Sequence, residues 1–88
     1  MSTTLTTDVL QDDLAVSLTC VLAAANKRAR EAGVNIAHSI ITVTQIFEHG
    51  PRWRINYGPK DYVGRRGGDL IIEVDASDAR VTRVLHGQ

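Results

Sequence analysis

Leu10, Leu14, Leu18, Val21, Leu22, Ala25, Ala29 and Ala32 recur at intervals of three and four residues, the spacing that aligns one apolar stripe on an α-helix. The stripe predicts a helix of about six turns. Its start falls near Asp8, because Asp8 and Gln11 stand three residues apart, as a capping box requires, and its end falls before Gly33. Acids lead this segment (Asp8, Asp12, Asp13) and bases close it (Lys27, Arg28, Arg30), the arrangement that complements the helix dipole.

Beyond Gly33 the period changes from about 3.6 to 2. The stretch SIITVTQIF (39–47) is rich in β-branched residues, with Ile41, Val43 and Phe47 on its better apolar face and Ile40 and Ile46 on the other. EHGP supplies turn chemistry, and RWRINY follows with clean alternation: Trp53, Ile55 and Tyr57 on one face, Arg52, Arg54 and Asn56 on the other. DLIIEVD places Leu70, Ile72 and Val74 inward and Ile71 and Glu73 outward; after a turn at ASDA, RVTRVL (80–85) places Val81 and Leu85 inward. Short connections between successive strands favour an antiparallel meander. The expected fold is a single α+β domain, an N-terminal helix packed on a four-stranded antiparallel sheet in αββββ order, with 1–7 as a disordered tail and 58–69 as a long flexible loop.

Composition changes this picture little. A chain of 88 residues with 43% hydrophobic and 23% charged residues is one ordinary globular domain with little room for a deep cavity. No apolar run approaches the roughly 18 residues of a membrane span. The opening MSTTLTTD has neither the basic nor the apolar region of a secretory leader, and the single Cys20 excludes an internal disulfide, so the expectation is a cytoplasmic protein without a membrane association, or an exported one if a leader has been removed. Residues 1–49 hold three Lys/Arg against five Asp/Glu and residues 50–88 hold seven against five. That gradient is too shallow for the basic stripe of a nucleic-acid binder, and nucleic acid is not the expected partner.

Four local features, the Ala-rich VLAAANKRA, the WRI of the second strand, the IIEVD ending in Asp75 and the RV opening the last strand, resemble the PepSY and PepSY-like group of small bacterial domains. They span residues from about 8 to 85. The resemblance implies a cystatin-like helix-on-sheet fold and a binding or inhibitory module linked to peptidase regulation, with no catalytic residues. Two departures stand against it: the absence of an export signal, and a dozen residues between strands two and three where a tight hairpin is expected.

No catalytic or metal constellation emerges. His38, His49 and His86 fall near strand ends without a common short spacing, and read as exposed turn histidines. Cys20 sits in mid-helix off the main stripe with no base nearby in sequence, as a half-buried structural thiol. Asp75 and Asp78 flank a turn whose backbone they can bind. No cofactor is expected, and an enzyme is not the expected class.

Two features point instead to interaction. Val9, Val16, Cys20 and Ala23 form a second, thinner apolar line on the helix, and with Ile40, Ile46, Ile71 and Val84 on an open sheet face they suggest a homodimer. The stretch NYGPKDYVGRRGGDL holds Gly64, Gly67 and Gly68 beside Lys60, Arg65 and Arg66, a recipe for an anion, yet it runs into a strand and does not match the helix-preceding P-loop. A solvated connection, a protein-contact loop and a small-anion or nucleic-acid site all remain open for it. The binding candidates are Lys60, Tyr62, Arg65 and Arg66, supported by Arg52 and Arg54, with an acidic patch or chain terminus of a partner protein as the expected ligand.

Overall fold

Two side-chain caps decide how the helical segment begins. The computed structural model describes residues 6–59 and 69–86. Thr6 caps a single turn, α1 (Thr7–Leu10), by accepting from the Val9 amide, and Asp12 caps the long helix α2 (Asp13–Glu31), its Oδ1 accepting from the Ala15 amide at 2.9 Å. The expected single helix from Asp8 is therefore two, and Asp8 with Gln11 forms no capping box. An aspartate in a helix interior competes with the backbone, whereas at the N-cap it satisfies an orphan amide and contributes about 1 kcal/mol, so the break at Asp12 is the better use of the residue. Thr6 and Thr7 belong to α1 rather than to a tail.

Helix α2 ends where Gly33 predicts. Gly33, at φ +90°, donates to the Arg30 carbonyl, and Val34 donates to the Ala29 carbonyl, the two bonds of a Schellman motif. Val34 and Ala29 both join the core, so the cap also sets the exit of the chain. A short 3₁₀ turn (Ile36–His38) leads into the sheet.

The strands are β1 (Ser39–Ile46), β2 (Arg52–Pro59), β3 (Leu70–Asp75) and β4 (Val81–His86), hydrogen-bonded in the order β1-β2-β3-β4, each antiparallel to its neighbour. This is the expected α+β meander. Register puts Val43, Ile55, Ile72 and Val84 in one row across the sheet. Helix α2 covers β2 and β3, burying Val21, Ala25 and Ala29 against Trp53, Ile55, Tyr57, Leu70, Ile72 and Val74. Small alanines on the buried face let the helix approach the sheet closely, while the larger strand residues fill the layer.

Two face assignments and one strand boundary differ from expectation. Leu10 and Leu14 are exposed, because the stripe begins before the sheet beneath it does and α1 breaks away at Asp12. Val84, not Leu85, packs on the core: Val74 pairs with Val81 but Glu73 with Arg83, so Thr82 is one extra residue, and a bulge of this kind reverses the alternation beyond it. Leu85 stands opposite Ile71 on the other face. Finally, Gly58 and Pro59 belong to β2, paired with Ile40 and Ser39, so the expected loop loses its first two residues to the sheet. Among the described residues no helix is long and apolar enough to cross a membrane.

Candidate functional site

Among the described residues each outer strand has an uncovered edge, and the two edges are unlike. Strand β4 carries Arg83 and His86 and is kinked by the bulge at Glu73/Val74. Charges and bulges are the usual devices that prevent an edge from pairing with another chain. Strand β1 has neither: eight residues, SIITVTQI, without a charge, a proline or a register shift.

The helix also fails to cover β1. Ile41 and Val43 lie opposite Tyr57 and Ile55, on the helix side of the sheet, yet they are 38% and 37% exposed where their neighbours on β2 are sealed. With Phe47, just beyond the strand and 71% exposed, they form an apolar shelf beside the edge. The sequence identified Ile41, Val43 and Phe47 as the better apolar face of the strand; register puts Ile41 and Val43 on the helix side, and all three are exposed.

On the opposite, open face a buried carboxylate organises the cations. Glu73 is 1% exposed; its Oε1 accepts from Arg52 Nη1 at 3.0 Å and its Oε2 from Arg54 Nη2 at 3.1 Å and Nε at 3.3 Å. Arg83 stands opposite Glu73 from the other side. Register explains the cluster: Arg54 is directly across from Glu73, Arg52 is diagonal to it, and oppositely charged cross-strand neighbours attract. Ile40, Ile46, Ile71 and Leu85 share this face. Arg52 Nε and Asn56 Oδ1 are buried there without a hydrogen-bond partner among the described residues.

Between α2 and the β3–β4 turn lies a cleft of about 360 Å³, lined by Asp13, Val16, Ser17, Cys20, Ala76, Ser77, Asp78 and Ala79. Cys20 opens onto it and is exposed rather than half-buried, since this side of the helix points past the sheet edge. The lining contains no histidine or cation; its ionisable groups besides the thiol are the carboxylates of Asp13 and Asp78. The turn is held by its own acids: Asp75 Oδ1 accepts from the Ser77 amide and hydroxyl, and Asp78 Oδ1 from the Arg80 amide. The Ser77 hydroxyl, then its amide, holds the Asp75 carboxyl below its usual range. This contribution to stability is present above the ordinary carboxylate value and is lost as pH falls through the depressed one.

His38, His49 and His86 are exposed, and among the described residues no three His, Cys, Asp or Glu side chains converge on a metal position. Of the binding candidates, Arg52 and Arg54 share the open face and are tied to Glu73; Lys60, Tyr62, Arg65 and Arg66 lie outside the described residues. Glu73 itself was read only as an outward residue. No local signal assigns it to the arginines, because their meeting depends on the register of β3 against β2.

Tyr57 links sheet to helix, its hydroxyl donating to Asn26 Oδ1 at 2.7 Å. Burial pushes the phenol up to about 12, with Arg30 opposing. Because the folded value lies above the ordinary one of about 10, this contribution to stability is complete below pH 10 and is lost as pH rises toward 12. Urea midpoints measured across that window fall for the wild type, and Tyr57→Phe flattens the fall while costing about 1 kcal/mol at neutral pH for the lost hydrogen bond.

Comparison with family models, with curated proteins and with solved structures finds no match for this chain.

Proposed function

We propose that the protein is a non-enzymatic interaction module whose contact surface is the β1 edge and the apolar shelf beside it, accepting an extended segment as a fifth strand. The observation that carries this reading is the exposure of Ile41 and Val43 on the helix side of an uncharged, unbulged edge. Main-chain hydrogen bonds along such an edge supply affinity, and alternate side chains, here Ile41, Val43 and Phe47 toward the shelf, supply selectivity. The PepSY-like resemblance implies the same class, a binding module without catalytic residues.

A second reading follows from the open face. Two guanidiniums meet one carboxylate around Glu73, Arg54 remains half-exposed, and apolar residues flank the group, a surface suited to an acidic segment of a partner. The docking role of loop residues Lys60, Tyr62, Arg65 and Arg66 belongs with this reading.

Titration of the dilute protein with a set of neutral β-branched peptides, SIITVTQI and unrelated sequences among them, followed by amide chemical shifts, separates them. Strand addition moves the amides of 39–46 and the methyls of Ile41 and Val43. Unmoved resonances over 39–46 at saturating peptide overturn the reading, and a response to an acidic peptide confined to Arg52, Arg54 and Arg83 replaces it with the second.

A further inference from the structure

We infer that the strand completing this edge is β1 of a second copy, so that two chains form one eight-stranded antiparallel sheet around a twofold axis. The inference rests on the strand-addition reading above and names its occupant.

Three properties of β1 select a copy of itself. The first is charge. An edge that recognises a foreign acidic or basic segment carries the opposite sign, and residues 39–46 carry none, while the same neutrality removes the like-charge clash that a twofold contact imposes on any charged strand.

The second is self-complementarity. Antiparallel pairing about a twofold axis at Val43 sets residue i against residue 86 − i of the other chain. Ile40 then meets Ile46, Thr42 meets Thr44, Val43 meets itself, and Ile41 meets Gln45. Ser39 meets Phe47, so the match of apolar with apolar and threonine with threonine holds for the pairs 40/46, 42/44 and 43/43 and fails at 39/47 and 41/45. Every pair also keeps its face, because i and 86 − i have the same parity, so both helices lie on one side of the joint sheet. The two shelves, each with Ile41, Val43 and Phe47, then face one another across the axis.

The third is area. Eight residues at about 3.4 Å each make an edge about 27 Å long. Because α2 stops short of β1, the contact is a strip of that length and about one sheet layer, roughly 10 Å, deep, below the size of a standard specific interface. That size implies a dimer in exchange with monomer rather than a permanent one.

Sedimentation and light scattering across the micromolar to millimolar range test the inference, with circular dichroism and Trp53 fluorescence reporting that each variant is folded. The wild type approaches twice 9.6 kDa as concentration rises. Val43→Glu and Val43→Lys, each placing two like charges on the axis, raise the dissociation constant at least about a hundredfold. Mixing the two variants restores a dimer. A wild type that stays monomeric at millimolar concentration overturns the inference, and so does a Val43→Glu variant that dimerises as well as the wild type. In either case the peptide titration of the 39–46 amides still decides the strand-addition reading by itself, so the two fail separately.

Discussion

Glu73→Ala lowers the unfolding free energy by about 3 kcal/mol, the low end of the range for removing one partner from a buried ion pair. The size follows from what is left behind. Arg52 is only 20% exposed and its Nε is already without a partner among the described residues, so its guanidinium cannot regain full hydration when the carboxylate goes. Arg54 is 47% exposed and turns to solvent at little cost. Had both arginines been sealed, the loss would lie at the high end; had both been free, the pairs would contribute under about 1 kcal/mol each. Glu73→Gln keeps the shape and one acceptor and costs less than alanine, and Arg54→Ala costs least. The order Glu73→Ala above Glu73→Gln above Arg54→Ala, measured by urea denaturation at neutral pH, is the expected result. A Glu73→Ala variant as stable as Arg54→Ala would show that the carboxylate does not hold the open face together.

The arginines were legible in the sequence and their anchor was not. Alternation in RWRINY places Arg52 and Arg54 on one side, but whether they are available or occupied depends on the register of β3 against β2, which no local pattern encodes. The same limit explains the apolar shelf. Periodicity assigns Ile41 and Val43 to the helix side correctly, yet how far one helix reaches across four strands is a question of tertiary geometry, and α2 stops short of β1. Leu14 belongs to the stripe by spacing and to the surface because it lies in the first turn of α2, ahead of the buried Val21, Ala25 and Ala29. Local chemistry, where it acts within a few residues, was readable: Gly33 closes the helix, and Asp75 and Asp78 bind their own turn. At Asp12 two local preferences competed, capping against helix continuation, and the bulge at Thr82 comes from long-range pairing that leaves no mark in VTRV. The resulting domain has one sealed layer between α2 and strands β2 and β3.

Adjacent isoleucines measure how sharply that layer is divided. Ile72→Ala costs about 3 to 4 kcal/mol, because the side chain is fully buried between Ile55 and Val84 beneath the helix, and its loss combines transfer free energy with a cavity that a two-layer core cannot close. Ile71→Ala, one residue earlier and on the open face between Asn56 and Leu85, costs about 1 kcal/mol or less, since water fills the space. The pair is sensitive to register, as a one-residue slip of β3 exchanges the two environments. Val84→Ala and Leu85→Ala extend the comparison across the bulge: with Thr82 as the extra residue Val84 carries the larger cost, and without it Leu85 would. Equal costs at 71 and 72 would mean that the open face is covered in solution, and the surface buried there would then be found by the same concentration series that tests the β1 edge.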